Sequence, residues 1–248
     1  MPDRSLLQKD LSAWKIVASE EQLLQTERYF ALLSEWNAKM NLTAIGSWED
    51  FCRLHVTDSL ALFPFLPEDV LPVSREKEGI RLADIGSGAG FPGMVLQIFC
   101  PSWQVTLIEA QGKRVQFLEA LCRELFPSDA ETKILQLRAE DAGREEALRE
   151  RFDLCTARAV AALPVLLEYA LPLLAVGGIF AAYKSSDTDP ELADARRALD
   201  VLGGEITEVK DYLLPGTTIA RRLVFVQKLR ATPEKYPRRA GMPKKRPL

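Results

Sequence analysis

The amino-acid sequence predicts an α/β protein with a Rossmann-like, mostly parallel seven-stranded sheet and an all-helical N-terminal extension. In residues 1–66 the apolar side chains recur at helical spacing, and no strand pattern is present. Short apolar runs then alternate with helical runs five times from residue 80 onward, which is typical of parallel β/α units. A glycine-rich stretch, residues 86–93, follows the first of these runs. The 248 residues suffice to bury a full core as one large domain plus a small extension.

Three helices are predicted in the N-terminal extension. The first spans residues 5–17, and the second spans residues 20–40, where six apolar side chains share one helical face: Leu23, Tyr29, Phe30, Leu33, Trp36 and Met40. Ser47 followed by Asp50 resembles a capping box and begins a third helix, which ends near Pro64. Residues 67–79 are rich in Pro, Glu and Lys, so we expect a linker there.

Residues 80–230 form the predicted Rossmann-like domain. We expect strands at 80–83, 104–108, 133–137, 152–156 and 178–183, with helices between them at 92–99, 112–126, 140–150 and 162–175. A helix over 190–202 precedes two more strands, 205–213 and 221–229, which would form an antiparallel pair. Residues 231–248 contain four prolines, and we expect an extended or disordered tail.

Basic charge is concentrated at the C-terminus. The net charge is −3, but residues 230–248 contribute +6 and the rest of the chain carries −9. Such a tail either binds a polyanion or keeps the end of the chain soluble. The four cysteines lie far apart and there is one histidine, so neither a disulfide framework nor a metal site is indicated. The N-terminus lacks the apolar core of a secretion signal, and we expect a cytoplasmic protein without a membrane anchor.

The glycine-rich stretch predicts a cofactor-binding turn. Gly86, Gly88 and Gly90 lack Cβ atoms, so the backbone can turn tightly and approach a ligand, and the next helix offers unpaired N–H groups. Gly88-x-Gly90-x-x-Gly93 also matches the dinucleotide fingerprint, so the glycines alone do not distinguish NAD from S-adenosylmethionine. Asp84 favours S-adenosylmethionine, because a carboxylate beside the ligand repels a pyrophosphate and suits a sulfonium and an ammonium.

Polar residues end the later strands, where doubly wound sheets bind their ligands. Glu109 would accept hydrogen bonds from both ribose hydroxyls of an adenosine. Ala139 and Glu140 would contact the adenine edge through backbone N–H and carboxylate groups, or would simply begin a helix. Arg158 could hold a cofactor carboxylate, an RNA phosphate or a guanine edge. Lys184 would contact an RNA phosphate or remain an ordinary solvated lysine.

The chain resembles the ribosomal RNA small subunit methyltransferase G family, which is also known as glucose-inhibited division protein B. The resemblance is carried by five motifs in the family's order: Asn41-Leu42-Thr43, His55-x-x-Asp58-Ser59, residues 86–93, Ala157-Arg158-Ala159-Val160 and Tyr236-Pro237-Arg238-Arg239. It implies a class I methyltransferase fold and S-adenosylmethionine as the cofactor. The implied reaction is methylation of guanine N7 in 16S rRNA, presented either as RNA or within the small ribosomal subunit.

The resemblance also implies roles for individual residues. Cofactor contacts are expected from Gly86, Phe91, Ala139, Glu140 and Arg158. Apart from the resemblance, Arg158 is the expected catalytic residue, because the end of the fourth strand would place it near both ligands. Basic charge predicts RNA contacts at Lys184, Arg238, Arg239, Lys244 and Lys245.

Methylation at N7 needs few catalytic side chains. The N7 lone pair carries no proton, so attack on a sulfonium methyl group requires alignment and desolvation but no base. Cytosine C5 methylation would need a cysteine after the fourth strand, and Cys155 lies inside that strand. Residues 157–160 also lack the Asn/Asp-Pro-Pro-aromatic pattern of many amine methyltransferases. Two alternatives stay open, namely an NAD(P)-dependent reductase and a non-catalytic RNA-binding module.

Overall fold

A computed structural model describes residues 2–44, 46–66, 79–127 and 132–248. In this part of the chain seven strands form one sheet: β1 (Arg81–Ile85), β2 (Gln104–Ile108), β3 (Lys133–Leu135), β4 (Phe152–Arg158), β5 (Leu174–Ser185), β6 (Gly204–Leu213) and β7 (Ala220–Lys228). Their order is β3-β2-β1-β4-β5-β7-β6. The strands β1 to β5 pair in parallel, whereas β7 is antiparallel to β5 and β6. The predicted sheet and its terminal antiparallel pair are confirmed.

Helices cover both faces of the sheet. The N-terminal ones are α1 (Arg4–Ala13), α2 (Glu20–Met40) and a continuous run of α3 (Trp48–Asp50), a π-helix (Phe51–Thr57) and α4 (Asp58–Leu60). Those between or after the strands are α5 (Gly93–Phe99), α6 (Gly112–Leu125), α7 (Ala139–Ala142), α8 (Leu163–Ala170), α9 (Asp189–Asp194), α10 (Arg196–Leu202) and α11 (Met242–Lys245). None of the described helices is both long and apolar enough to cross a membrane.

Side-chain caps fix the ends of the N-terminal helices. Ser19 and Gln22 form a reciprocal capping box that begins α2, and Asn41 in the left-handed region ends it. The predicted cap of the third helix is confirmed, since Ser47 Oγ accepts a hydrogen bond from Asp50 N at 3.0 Å. The π-helical turn that follows carries His55, and such turns are common at functional sites.

The core has two parts, one on each face of the sheet. Leu11, Leu23 and Leu33 of the N-terminal helices belong to the same buried cluster as Leu82 and Val105 of the strands. The second cluster lies on the other face and includes residues of α8, α10, β4 and β5. The N-terminal helices are therefore packed into the core of the sheet. The predicted linker, residues 67–79, lies outside the described residues except for Gly79.

Several predicted elements have different bounds from those expected. The first helix ends at Ala13 instead of residue 17, the helix predicted over residues 162–175 ends at Ala170, and the helix predicted over residues 190–202 is divided into α9 and α10. The helix predicted over residues 140–150 ends at Ala142, and turns follow it. The reason is a long-range contact, because Arg149 donates a hydrogen bond to Tyr236 O at 2.8 Å, and the same Nη1 also donates to the nearby Gly143 O at 2.9 Å. The strand predicted over residues 178–183 begins sooner, at Leu174, and ends at Ser185.

The prediction that residues 231–248 are extended or disordered is wrong. Thr232 is buried, and Arg149 donates a hydrogen bond to its carbonyl oxygen at 2.7 Å. The guanidinium of Arg238 forms an ion pair with the fully buried Glu168 at 2.6 Å. These contacts hold the tail, residues 231–248, on the α8 side of the sheet. A four-residue helix, α11, lies near its end.

Candidate functional site

Among the described residues, two adjoining pockets open above the carboxyl ends of the parallel strands. The glycine-loop pocket, about 340 Å³, is lined by residues that include Gly86, Glu109, Ala139, Glu140, Tyr169, Gly241 and Lys244. The arginine pocket, about 610 Å³, is lined by residues that include His55, Asp58, Arg158, Tyr183, Lys184 and Arg221. The two pockets share residues 159–161 as a common wall. A ligand in one pocket would therefore lie next to a ligand in the other.

The glycine loop presents bare backbone to its pocket. Gly86 has a φ of +68° and lines the pocket, and its N–H donates to Ile108 O at 2.8 Å. A side chain there would be strained and would meet Val160 on the shared wall. Gly88 and Gly90 are not among the lining residues. Gly90 lies against Tyr29 of α2, so the loop also fixes the sheet to the N-terminal helices.

Asp84 lies beneath the loop rather than in the pocket. It is fully buried, and its carboxylate accepts hydrogen bonds from Thr156 Oγ1 at 2.8 Å and from Gly93 N at 3.2 Å. Burial raises the pKa of Asp84 to about 6. The expected direct contact with a ligand therefore gives way to a positioning role, in which Asp84 holds the first turn of α5 against β1.

Glu109 lies in the wall of the glycine-loop pocket, as the sequence predicts. One carboxylate oxygen accepts a hydrogen bond from Gly88 N at 2.9 Å, and the other accepts one from Gln111 N at 2.8 Å. Only 4% of the residue is exposed. The carboxylate thus joins the glycine loop to the start of α6, and its remaining lone pairs are available to hydroxyl donors of a ligand.

Ala139 and Glu140 line the same pocket at the start of α7. The carboxylate of Glu140 accepts a hydrogen bond from Gly241 N at 2.8 Å and one from Tyr169 OH at 3.4 Å. Sequence reasoning missed both partners. The Gly241 contact spans 101 residues, so no local pattern could have revealed it.

Phe91 does not line the glycine-loop pocket, although a cofactor contact was expected from it. Its ring is stacked between Tyr29, with centroids 5.1 Å apart, and His55, with centroids 4.1 Å apart. The guanidinium carbon of Arg158 lies 5.2 Å from the same ring centroid. Phe91 therefore connects the N-terminal helices to Arg158 by stacking and cation–π contacts.

The arginine pocket is built around Arg158 at the end of β4. Its Nη1 donates to Asp58 Oδ2 and to Leu54 O, both at 2.9 Å, and its Nη2 donates to His55 Nδ1 at 2.7 Å. Burial and the charge of Arg158 lower the pKa of His55 to about 3. The imidazole is therefore neutral with its proton on Nε2, which lies 3.1 Å from Thr43 Oγ1. Neither ring nitrogen is available as a base.

Two residues of the distant antiparallel pair lie against Asp58, and one of them, Arg221, lines this pocket. The hydroxyl of Tyr212 donates to Asp58 Oδ1 at 2.9 Å, and Arg221 Nε lies 3.9 Å from Asp58 Oδ2. Ser59 of the same sequence motif is buried, and its hydroxyl donates to the backbone oxygen of His55. Sequence reasoning missed Tyr212 and Arg221, because their relation to Asp58 arises only when β6 and β7 join the sheet.

The expected RNA contacts have different surroundings. Lys184 lines the arginine pocket, but its ammonium pairs with Glu191 at 2.7 Å. The guanidinium of Arg238 is paired with Glu168. Arg239 and Lys245 are exposed, as RNA contacts must be. Lys244 is exposed as well, but it lines the glycine-loop pocket.

The glycine-loop pocket suits a nucleoside that carries hydroxyl and charged groups. Two buried acids, Glu109 and Glu140, line it beside the bare backbone of Gly86, and the basic residues Arg114, Arg138 and Lys244 line it as well. The carboxylates can accept hydrogen bonds from ribose hydroxyls, and the basic groups can pair with a carboxylate. S-Adenosylmethionine, with its sulfonium and ammonium charges, fits this set of groups. Over the described ranges, no group of three or more His, Cys, Asp or Glu residues could hold a metal ion.

Comparison with known proteins finds similar sequences and a similar fold. A sequence profile of the family described as rRNA small subunit methyltransferase G matches residues 22–219. The ribosomal RNA small subunit methyltransferase G of Lactobacillus johnsonii is 42% identical over 240 residues, which cover 97% of each chain. That of an Exiguobacterium species is 46% identical over 231 residues, which cover 93% of this chain and 92% of the relative. The structure of the antibiotic-resistance methyltransferase Kmr is 16% identical, covers 64% of this chain and 91% of that chain with a TM-score of 0.51, and shows the shared fold.

Proposed function

We propose, from the premise that the chain belongs to the rRNA small subunit methyltransferase G family, that it methylates N7 of a guanine in 16S rRNA. S-Adenosylmethionine-dependent rRNA methylation is the activity of this family, and the reductase alternative is not favoured. A 16S rRNA target implies a cytoplasmic reaction, on the RNA or on the small subunit. The choice of N7 rests on one observation. Among the described residues, the pocket beside the donor site contains a charged group, Arg158, that could hold the guanine, but its acidic and imidazole groups are already bonded and cannot remove a proton.

The glycine-loop pocket is the proposed donor site. Gly86 would contact the donor through its backbone, Glu109 would accept hydrogen bonds from the ribose, and Ala139 with Glu140 would border the adenine. When bound, S-adenosylmethionine supplies an electrophilic methyl group on a positively charged sulfur. Asp84 and Phe91 act indirectly in this proposal, because they hold the loop and Arg158 in place.

The arginine pocket is the proposed site of the target guanine. Arg158 has five N–H groups, and within the described part of the chain three are bonded to Leu54, Asp58 and His55. The remaining donors suit the guanine O6 acceptor, which is next to N7 on the same edge. A bond to O6 would hold the base while leaving the N7 lone pair free to face residues 159–161.

The hydrogen bonds of His55 and Asp58 support N7 over an amine target. Nδ1 of His55 accepts a hydrogen bond from Arg158, and its Nε2 proton is directed at Thr43. Asp58 is held by Arg158 and Tyr212. Neither group is placed to remove a proton from a guest. Attack by N7 requires no deprotonation, so alignment and exclusion of water suffice.

The test is the modified-nucleoside content of 16S rRNA from cells with and without this protein. We expect one 7-methylguanosine per 16S molecule to be lost when the gene is deleted, and the wild-type gene to restore it. Loss of an N2-methylguanosine or a 5-methylcytidine instead, with 7-methylguanosine unchanged, would overturn the assignment. Full restoration by an Arg158→Gln variant would overturn the proposed role of that residue.

A further inference from the structure

We propose that the C-terminal turn, residues 241–244, is one wall of the donor site and that Lys244 is a donor-positioning residue. This inference rests on the proposed function, because it takes the glycine-loop pocket as the donor site. Gly241 and Lys244 both line that pocket, far along the chain from its other walls. The tail would then supply part of the donor site in addition to basic charge for RNA.

The tail is anchored firmly before it reaches the pocket. Arg238 donates to the carboxylate of Glu168 through its backbone N–H at 2.7 Å and through Nη2 at 2.6 Å. Glu168 is fully buried in α8. Arg144 also donates to Pro237 O at 2.8 Å. Paired contacts of this kind fix both the position and the direction of the chain just before Gly241.

Beyond this anchor, the chain turns back toward the pocket instead of leaving the surface. Arg239, Ala240 and Gly241 are exposed, whereas Pro243 after the turn is buried and Leu248 packs against the core cluster that includes α8. Gly241 has a φ of +82°, which favours glycine, and its N–H donates to Glu140 Oε1 at 2.8 Å. The turn therefore returns the chain to the α8 side of the sheet and also brings a backbone donor to Glu140.

The contact with Glu140 also orients the carboxylate that would border the adenine. One oxygen of Glu140 is held by Gly241 and Tyr169, which leaves the other oxygen for a guest. Lys244 adds a positive charge to a pocket that Glu109, Glu140, Arg114 and Arg138 also line. Its ammonium can donate to the acceptor nitrogens or carboxylate of a bound donor. Removing the turn would open the pocket on this side and release Glu140.

The test is calorimetric binding of S-adenosylhomocysteine, without RNA, to the full chain and three variants. The variants are Lys244→Ala, a truncation after Ala240, and the matched control Lys245→Ala, an exposed neighbour that does not line the pocket. We expect the Kd to rise about tenfold or more on truncation and about threefold to tenfold for Lys244→Ala, with less than about a twofold change for Lys245→Ala. Thermal unfolding of the ligand-free proteins should place both lysine variants close to wild type.

The outcomes separate this inference from the proposed function. If wild type binds S-adenosylhomocysteine and both the truncation and Lys244→Ala bind it equally well, the tail inference is overturned while the donor site stands. If wild type does not bind it, the proposed donor site itself fails. Should the truncation not fold, Lys244→Ala against Lys245→Ala decides. In a methyl-transfer assay, Lys244→Ala should raise the KM for S-adenosylmethionine and leave kcat nearly unchanged. If Lys244→Ala and Lys245→Ala have the same Kd and the same KM, the inference is contradicted.

Discussion

His55 Nδ1 accepts a hydrogen bond from Arg158 Nη2 at 2.7 Å, although the two residues are 103 positions apart in the sequence. The bond joins the π-helical turn of the N-terminal extension to the end of β4. It makes the extension part of the proposed guanine site, with Asp58 as a second partner of the same guanidinium. This relationship determines how substitutions at the site should behave.

Arg158→Lys should separate methyl transfer from donor binding. A lysine keeps the charge beside Asp58 but cannot donate to several acceptors in a fixed fork, so the base would be held less well. We expect turnover on 16S rRNA to fall about 100-fold, while S-adenosylhomocysteine affinity changes less than about twofold. Single-turnover kinetics and calorimetry measure the two quantities. An equal loss in both would put Arg158 in the donor site.

Acid should destabilise the protein through His55. Its folded-state pKa of about 3 lies below the ordinary value of 6.5, so its contribution to stability is complete above pH 6.5 and is lost as the pH falls toward 3. At about pH 4.5 the lost free energy of unfolding should be about 3 kcal/mol relative to about pH 7.5. His55→Asn removes the titrating group. Urea unfolding at both pH values measures the loss in the free energy of unfolding, which should be smaller for the variant by that amount. Equal losses in wild type and variant would contradict the lowered pKa of His55.

Glu109→Gln should weaken donor binding. A glutamine has one acceptor oxygen, so it cannot accept from both Gly88 N and Gln111 N as the carboxylate does. It also removes a negative charge from the proposed donor site. We expect the Kd for S-adenosylhomocysteine to rise about tenfold, which corresponds to about 1.4 kcal/mol. Glu119→Gln, on an exposed position of α6, is the control and should bind as wild type does.

Arg238→Gln should destabilise the fold, because it leaves Glu168 buried without its charged partner. The expected loss is about 3–5 kcal/mol in the free energy of unfolding. The double variant Glu168→Gln/Arg238→Gln should recover much of this loss, since it removes the buried charge as well. Arg239→Gln, an exposed neighbour, is the control. Denaturant titrations measure wild type and the variants, and a neutral Arg238→Gln would show that the ion pair does not hold the tail.

The sheet could be predicted from the sequence because strand and helix periods are local. The bounds of β2 were predicted to the residue, and the antiparallel pair of β6 and β7 was expected from two alternating runs. The bounds of α7 and the ordered structure of the tail were not predicted. Both depend on contacts such as those of Arg149 with Thr232 and Tyr236, which only the folded chain brings together.

Residues of the candidate site could be predicted from the sequence where they lie at the end of a strand. Glu109 and Arg158 were found in this way, and both line pockets. Asp84 lies near the end of β1 and Phe91 lies in the glycine-rich loop after it, but sequence position does not tell whether a side chain faces the ligand or the core. Asp84 faces Thr156, and Phe91 faces the N-terminal helices. The role of Gly241 could not be predicted, because it depends on a hydrogen bond to Glu140, which is 101 positions away in the sequence.

The most direct test of the central claim is methyl transfer by the purified protein from tritium-labelled S-adenosylmethionine to 16S rRNA, supplied as RNA and as small subunits. Chain cleavage after borohydride and aniline treatment locates 7-methylguanosine in the product. We expect incorporation that approaches one methyl group per 16S molecule in at least one form, with cleavage at a single guanine and a strong reduction in the Arg158→Lys variant. Tritium incorporation without cleavage at guanine, or no incorporation into either substrate, would contradict the claim.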